Sequence, residues 1–186
     1  MIGLLEGLIK HTDEKSIIVL AGGVGYKVYC PLPLLLLAEN KKNILLHIHT
    51  HVREDAITLY GFGSEAELFA FEKLIGVSGI GPKSALAMLS IHSPASIANA
   101  IENGEIEVLS HTPGIGKKTA EKIIIELKGK LAHLKTHEKN EATLEVKMAL
   151  EALGYSQKEI HEVVGKLNPL ESNSSILIKE ALKQLK

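Results

Sequence analysis

The sequence predicts an α+β chain of several domains, with a small five-stranded barrel first and two all-helical units after it. Three observations predict this. The apolar period is near two up to residue 62 and near 3.6 beyond it, two stretches of the helical part repeat each other, and a polar segment sets off a last short unit. The resulting boundaries are 1–62 for the barrel, 63–133 for the duplicated unit, 134–142 for a flexible linker and 143–186 for a three-helix unit. A chain of 186 residues accommodates this division, and 45% hydrophobic with 23% charged residues is the balance of a folded protein.

Strands are expected at Met1–Lys10, Ser16–Ala21, Val24–Cys30, Ile44–Arg53 and Ala56–Phe62. Turn chemistry separates them at Asp13-Glu14, Gly22-Gly23 and Asn40–Asn43. The fourth strand alternates, with Leu46, Ile48, Thr50 and Val52 on one face and His47, His49, His51 and Arg53 on the other, so one face is expected to be wet. Five such strands fit an oligonucleotide-binding (OB) barrel, a pattern that a generic antiparallel sheet shares. The histidine row raises a metal site, but no carboxylate or Cys is spaced to complete it. A polar face or a subunit contact accounts for it equally well, and no metal is expected. The single Cys30, in VYCPLPL, reads as a buried structural thiol. The longest apolar run, Leu34 to Ala38, is far below the roughly 20 residues of a membrane span. The opening MIGLLEGLIK lacks a basic n-region and a cleavage site, so a cytoplasmic location is expected.

The helical part holds VSGIGPKSALAML from Val77 and TPGIGKKTAEKII from Thr112, in register at an offset of 35 residues. Two copies are too few for a helical solenoid, so this is an internal duplication. In each, a Gly-Ile-Gly turn precedes a helix whose first turn carries Lys and a hydroxyl residue. Glycines allow close backbone approach, and the turn and helix N-terminus direct N–H groups and a favourable dipole at an anion. Lys83, Lys117 and Lys118 supply charge, and Ser84 and Thr119 supply hydroxyl donors. One copy alone reads most simply as an interhelical turn. Two copies that repeat their lysines and hydroxyls point to phosphates, gripped across a minor groove without base readout and with strong salt dependence. Net charge is only −1, yet residues 117–135 hold six lysines, Lys122 among them, against two glutamates. Neither turn completes the nucleotide-binding P-loop: Pro82 stands where the first copy needs Lys, and His111 and Lys118 stand where the second needs Gly and Ser/Thr.

In the last unit, residues 143–153 have a helical pattern, Gly154 fits a C-cap, and Ser156 with Glu159 fits a capping box. Asn168-Pro169 breaks the chain, and Ser174 is expected to cap a last helix with Ile178, Ala181, Leu182 and Leu185 on one side. A unit this small is expected to lean on a partner for part of its burial.

VSGIGPKSALAML and TPGIGKKTAEKIIIEL resemble the paired helix-hairpin-helix motifs of the RuvA family, VREDAITLYGF resembles its central hairpin, and MIGLLEGLI with GGVGYKV resembles its barrel. The likeness runs through Leu131 and resumes at EALGYSQKEI. It implies an OB barrel, a tandem helix-hairpin-helix domain, a linker and a small motor-binding domain. It also implies a homotetramer, with an octamer as a candidate larger form, that holds four-way (Holliday) junction DNA open and square for recombination and repair. The implied partners are the hexameric RuvB ATPase and, as a further candidate, the RuvC resolvase. The chain itself would carry no catalytic site and no cofactor, ATP and Mg belonging to the motor. Gly79, Gly81, Lys83, Gly114, Gly116, Lys117, Lys118 and Thr119 fall on the phosphate-gripping turns, with Ser84 and Lys122 beside them. Glu54 and Asp55 fall on an acidic pin that would repel phosphate at the crossover; without the resemblance they would read as a solvated hairpin tip. Leu150, Leu153, Tyr155 and Leu182 fall where the family meets its motor. Ser78 departs from the family, in which many members have Asn.

Two other classes remain in view. A structure-specific nuclease subunit also carries tandem helix-hairpin-helix domains but needs convergent carboxylates, and a purely architectural DNA-binding module would recruit no motor. A base-excision glycosylase is disfavoured because neither Asp13 nor Asp55 lies downstream of the turns.

Overall fold

The computed structural model describes residues 1–132, 134, 145–164, 167 and 174–184, with side chains omitted for Gln157, Lys158 and His161. Five strands, β1 (Leu4–Thr12), β2 (Ser16–Ala21), β3 (Val24–Tyr29), β4 (Asn43–Val52) and β5 (Ile57–Phe62), close into a barrel in the order β1-β2-β3-β5-β4. The β3–β5 pair is parallel and the others are antiparallel. The turns follow from local chemistry. The Asp13 carboxylate accepts from the backbone N–H groups of Lys15 and Ser16, both at 2.8 Å, and so reverses the chain into β2. Those bonds hold the Asp13 carboxyl below its ordinary range. At the next hairpin Gly22 and Gly23 both have positive φ, 56° and 83°, the backbone that a two-residue turn between twisted strands requires.

Ile17, Val19, Val28, Leu46, Ile48 and Leu59 fill the barrel. A helix, α1 (Leu32–Ala38), lies where the sequence predicts no element. Its start is set by extended Pro31 and by Pro33 in its first turn, and it sends Leu34, Leu35 and Ala38 into the barrel core. The run PLPLLLLA is too short and too uniformly apolar for its period to show; it is helical because only one side of it finds the core. Cys30 is buried beside it, and burial pushes its thiol up to about 12, so it is an inert packing group.

Ser64 opens α2 (Glu65–Ile75) with a capping box to Glu67. The helices α3 (Pro82–Ile91), α4 (Pro94–Asn103), α5 (Ile106–Ser110) and α6 (Lys117–Leu127) follow. They enclose Ala70, Leu74, Met88, Ile97, Ile101, Leu109, Ile123 and Leu131. Phe71 of α2 packs on the barrel, with ring centroids 5.2 Å from Tyr60 and 4.8 Å from Phe62. Barrel and helices together form one compact unit, Met1–Leu131. This corrects the expected wet face of β4. His49 lies edge-on to Phe71 at 5.4 Å and its Nδ1 is 3.1 Å from a Glu72 carboxylate oxygen, so part of the histidine row is a seat for α2.

The second unit begins at Ala132. Residues 145–152 form α7, which ends as expected at Gly154, with φ of 90°. The Tyr155 N–H donates to Leu150 O at 3.1 Å and the Gly154 N–H to Glu151 O at 2.9 Å, closing a Schellman turn. Ser156 and Glu159 make the expected capping box for α8 (Gln157–Val164). The Ser156 hydroxyl and backbone N–H both donate to the Glu159 carboxylate and hold its carboxyl below the ordinary range. α9 (Ser174–Gln184) begins at Ser174 itself, so the residue that caps it lies outside the described residues, as do Leu185, Asn168-Pro169 and the expected linker beyond residue 134. Val146, Leu150, Ile160, Val163, Leu177 and Ala181 form this unit's core.

Candidate nucleic-acid interface

The two duplicated turns fold alike. In the first, Ile80 N–H donates to Val77 O at 3.0 Å and Ala85 N–H to Gly81 O at 3.1 Å; in the second, Ile115 N–H donates to Thr112 O at 3.0 Å and Ala120 N–H to Gly116 O at 2.9 Å. Gly79 and Gly114 both require positive φ, 93° and 85°, and Gly81 and Gly116 cap their helices with nearly identical angles. Ile80 and Ile115 point inward and are buried. Among the described residues these bonds leave the N–H groups of Gly79, Gly81 and Lys83, and of Gly114, Gly116, Lys117 and Lys118, unused at the surface, the requirement for an anion at a helix start.

The turns sit side by side. A Cβ built on Gly114 would lie 3.4 Å from the Ser84 hydroxyl oxygen, so the Ser84 side chain of the first turn lies against the second. Sequence alone gave Ser84 a donor role but no such position. Lys83, Lys117, Lys118 and Lys122 are exposed and Thr119 is half-buried. Lys118 and Lys122 are four apart on α6 and share a face, extending the cationic surface down that helix. Lys128 and Lys130 are also exposed, whereas Lys135 lies outside the described residues. Ser78 is exposed in the first turn.

Glu54 and Asp55 occupy the connection between β4 and β5, closed by Arg53 N–H donating to Ala56 O at 2.8 Å. Both are exposed. Arg53 turns away from them, its Nε donating to the His51 Nε2 at 3.0 Å. The tip therefore presents two carboxylates while its cation is held against the barrel. The histidines have other engagements: His49 with Glu72 and Phe71, His51 with Arg53 and, edge-on at 6.3 Å, with Tyr60.

In the second unit Leu153 is 61% exposed, and Tyr155 and Leu182 are half-buried against the core. Leu150 is placed differently from expectation: it is fully buried in that core and supports the surface from beneath. Its spacing of four from Val146, which puts both on one face of α7, is the signal that could have shown this. Met148 and Ile176, 62% and 49% exposed, are apolar surface residues that the sequence reading missed.

A closed five-stranded barrel carrying two helix-hairpin-helix turns side by side, with lysines at both, defines a double helix-hairpin-helix protein built for nucleic-acid backbones. Comparison narrows the class. Residues 1–61 match the RuvA N-terminal domain, residues 71–130 a SAM-like helix-hairpin-helix tandem, and residues 141–186 the RuvA C-terminal domain. The protein from Halalkalibacterium halodurans named Holliday junction branch migration complex subunit RuvA is 42% identical over 98% of this chain and 97% of its own. Its namesake from Thermus thermophilus is 42% identical over 100% of both chains, and that from Lactobacillus johnsonii 40% over 98% and 97%. The chain belongs to the RuvA family.

Proposed function

We propose that this chain is a non-catalytic subunit that binds four-way (Holliday) junction DNA, holds it open and square, and recruits the hexameric RuvB ATPase for branch migration. The observation that carries this reading is the pair of lysine-bearing turns with matching hydrogen bonds and backbone angles, set side by side, in a chain whose relatives are named branch migration subunits. Two adjacent helix starts grip phosphates of both strands of one arm, and nothing in either turn selects a base. Sequence independence is what a moving crossover requires. Glu54 and Asp55 supply the opposing force: at an effective dielectric near 20, two unit charges about 8 Å apart interact by about 2 kcal/mol before salt screening. A homotetramer would give each arm its own pair of turns, and an octamer would enclose the junction from both faces. Leu153, Tyr155 and Leu182 would meet the motor, which consumes the ATP and Mg, in the cytoplasm. The RuvC resolvase is a further partner of the same complex. Among the described residues no helix is long and apolar enough to cross a membrane.

A gel-shift comparison of a four-way junction with linear duplex of matched arms tests the reading. The junction should bind more tightly, and the double change Glu54→Gln with Asp55→Asn should raise duplex affinity more than junction affinity. Equal binding of both DNAs by the unaltered chain would overturn the proposal.

A further inference from the structure

A groove of about 950 Å³ runs between the outer face of the barrel and α3. Its barrel wall is Tyr29, His51, Thr58 and Tyr60, and its helix wall includes Pro82, Leu86 and Ala87. Lys15, Arg53 and Lys83 border it as cations, with Glu14 and Asp55 as anions. Three features point to one kind of occupant.

The first is position. One end is built by the β1–β2 turn and the β4–β5 turn, the two loops between which barrels of this topology take oligonucleotides. The other end is the start of α3 at Gly81 and Lys83, so a strand gripped at the first turn crosses the groove before it reaches the acidic tip. The second is size, which falls in the range of sites for a single small ligand. The third is chemistry. The rings of Tyr29 and Tyr60 lie 6.0 Å apart, tilted by 38°, at a mostly apolar wall with cations on its border. Aromatic faces hold bases whose own faces are free, cations hold the attached phosphate, and carboxylates accept from base amino groups. A base inside a duplex has no free face to offer. An unpaired one does, and unpaired bases arise at a crossover while strands exchange.

We propose that the groove takes one unpaired nucleotide of a DNA strand at the crossover, its base against Tyr29 and its phosphate among Lys15, Arg53 and Lys83. This rests on the junction-binding reading. The carboxylates of the tip drive the backbone away from the centre, and the groove receives the nucleotide so displaced.

The test uses the full chain and two junctions, one fully paired and one with a single unpaired thymidine at the crossover. The unpaired nucleotide should tighten binding by about 5- to 150-fold, the worth of one base stacked on an aromatic ring. Ala87→Phe fills the groove from its helix wall, and should abolish that gain while leaving paired-junction affinity within about twofold. With 5-iododeoxyuridine at the unpaired position, irradiation should attach the DNA to Tyr29 or His51, located by mass spectrometry. No gain, a gain that survives Ala87→Phe, or attachment confined to residues 114–122 would overturn the proposal. So would a fall in the sedimenting mass of the DNA-free Ala87→Phe chain, which would make the groove a seat for a second copy. If circular dichroism shows that Ala87→Phe does not fold, Tyr29→Leu carries the same comparison. Failure of the junction-binding reading is separate, since it would appear as lost preference for the paired junction over duplex.

Discussion

The two helix-hairpin-helix turns share a backbone and differ in almost everything attached to it. Their hydrogen bonds, their left-handed glycines and their buried isoleucines coincide. Their helices do not: PKSALAMLSI carries one lysine, KKTAEKIIIEL three. The reason lies in what each helix packs against. α3 packs against α2 and α1, where Leu32 N–H donates to the Ser90 hydroxyl at 3.1 Å, and its sides are largely apolar. α6 has an uncovered outer face, and charged residues occupy it. A duplicated backbone thus supplies two like turns, and tertiary packing decides how much charge each one keeps. Pro82 also removes one N–H from the first turn, while Lys117 at the equivalent place adds both an N–H and a charge.

The largest expected effect follows from that asymmetry. Lys117→Ala with Lys118→Ala should flatten the slope of log K against log salt by about 1.8, and Lys83→Ala by about 0.9, if each lysine neutralises one phosphate. At about 1.5–3 kcal/mol per charge-assisted contact, the double change should cost roughly 3 kcal/mol or more of binding. Equal losses from the double and the single change would show that the first turn binds as strongly as the second, and the comparison would break.

The next effect is on folding. Val77 and Thr112 hold equivalent places and are 2% and 1% exposed. Val77→Thr should destabilise the Met1–Leu131 unit by about 1–3 kcal/mol, because it buries a hydroxyl where the native chain has a methyl group. Thermal unfolding measures it. No loss would mean that the first turn has a hydrogen-bond acceptor waiting, and that the two turns are packed less alike than their backbones.

Much of this was legible in the sequence, and for stated reasons. The Gly-Ile-Gly turns were readable because only glycine suits the left-handed positions at 79 and 114, and the strands of the barrel because local turn chemistry separates them and β4 alternates. The capping box at Ser156 and the Gly154 stop were readable because they are local. What was not readable depended on contacts between distant residues. α1 is a helix because Leu34, Leu35 and Ala38 close the barrel. The histidine face of β4 reads as wet until Phe71 and Glu72, more than twenty residues on, fold onto it. Leu150 reads as a contact residue until α8 and α9 cover it. The placement of Ser84 beside Gly114 and the groove along α3 belong to the same class, since no spacing within one segment encodes them.

A smaller effect should come from making the first turn more like the second. Pro82→Lys restores an N–H at the first helical position and adds a charge beside Lys83. It should steepen the salt slope by about 0.9 and tighten junction binding, while lowering stability by about 0.4–1 kcal/mol because the chain loses a residue already fixed for the helix start. A stability loss without any change in slope would mean that DNA does not reach position 82.

The smallest effect is the reverse of the valine exchange. The Thr112 hydroxyl oxygen is fully buried and, among the described residues, has no hydrogen-bond partner. Such a group has given up water and received nothing in return, which costs about 1–3 kcal/mol relative to a satisfied one. Valine has nearly the same shape, and Val77 shows that this backbone accepts it at the matching place. Part of the gain is offset, because the hydroxyl and methyl environments are not interchangeable and the neighbours must adjust. Thr112→Val should therefore stabilise the unit by about 1 kcal/mol or less, raising Tm by up to about 2–4 °C. Junction affinity should stay unchanged, since the hydroxyl lies buried inside the turn, away from its exposed lysines. A lower Tm would mean that the oxygen is satisfied by ordered water. A lower affinity at unchanged Tm would mean that the second turn opens to place this hydroxyl on a phosphate, and the two turns would then differ in mechanism as well as in charge.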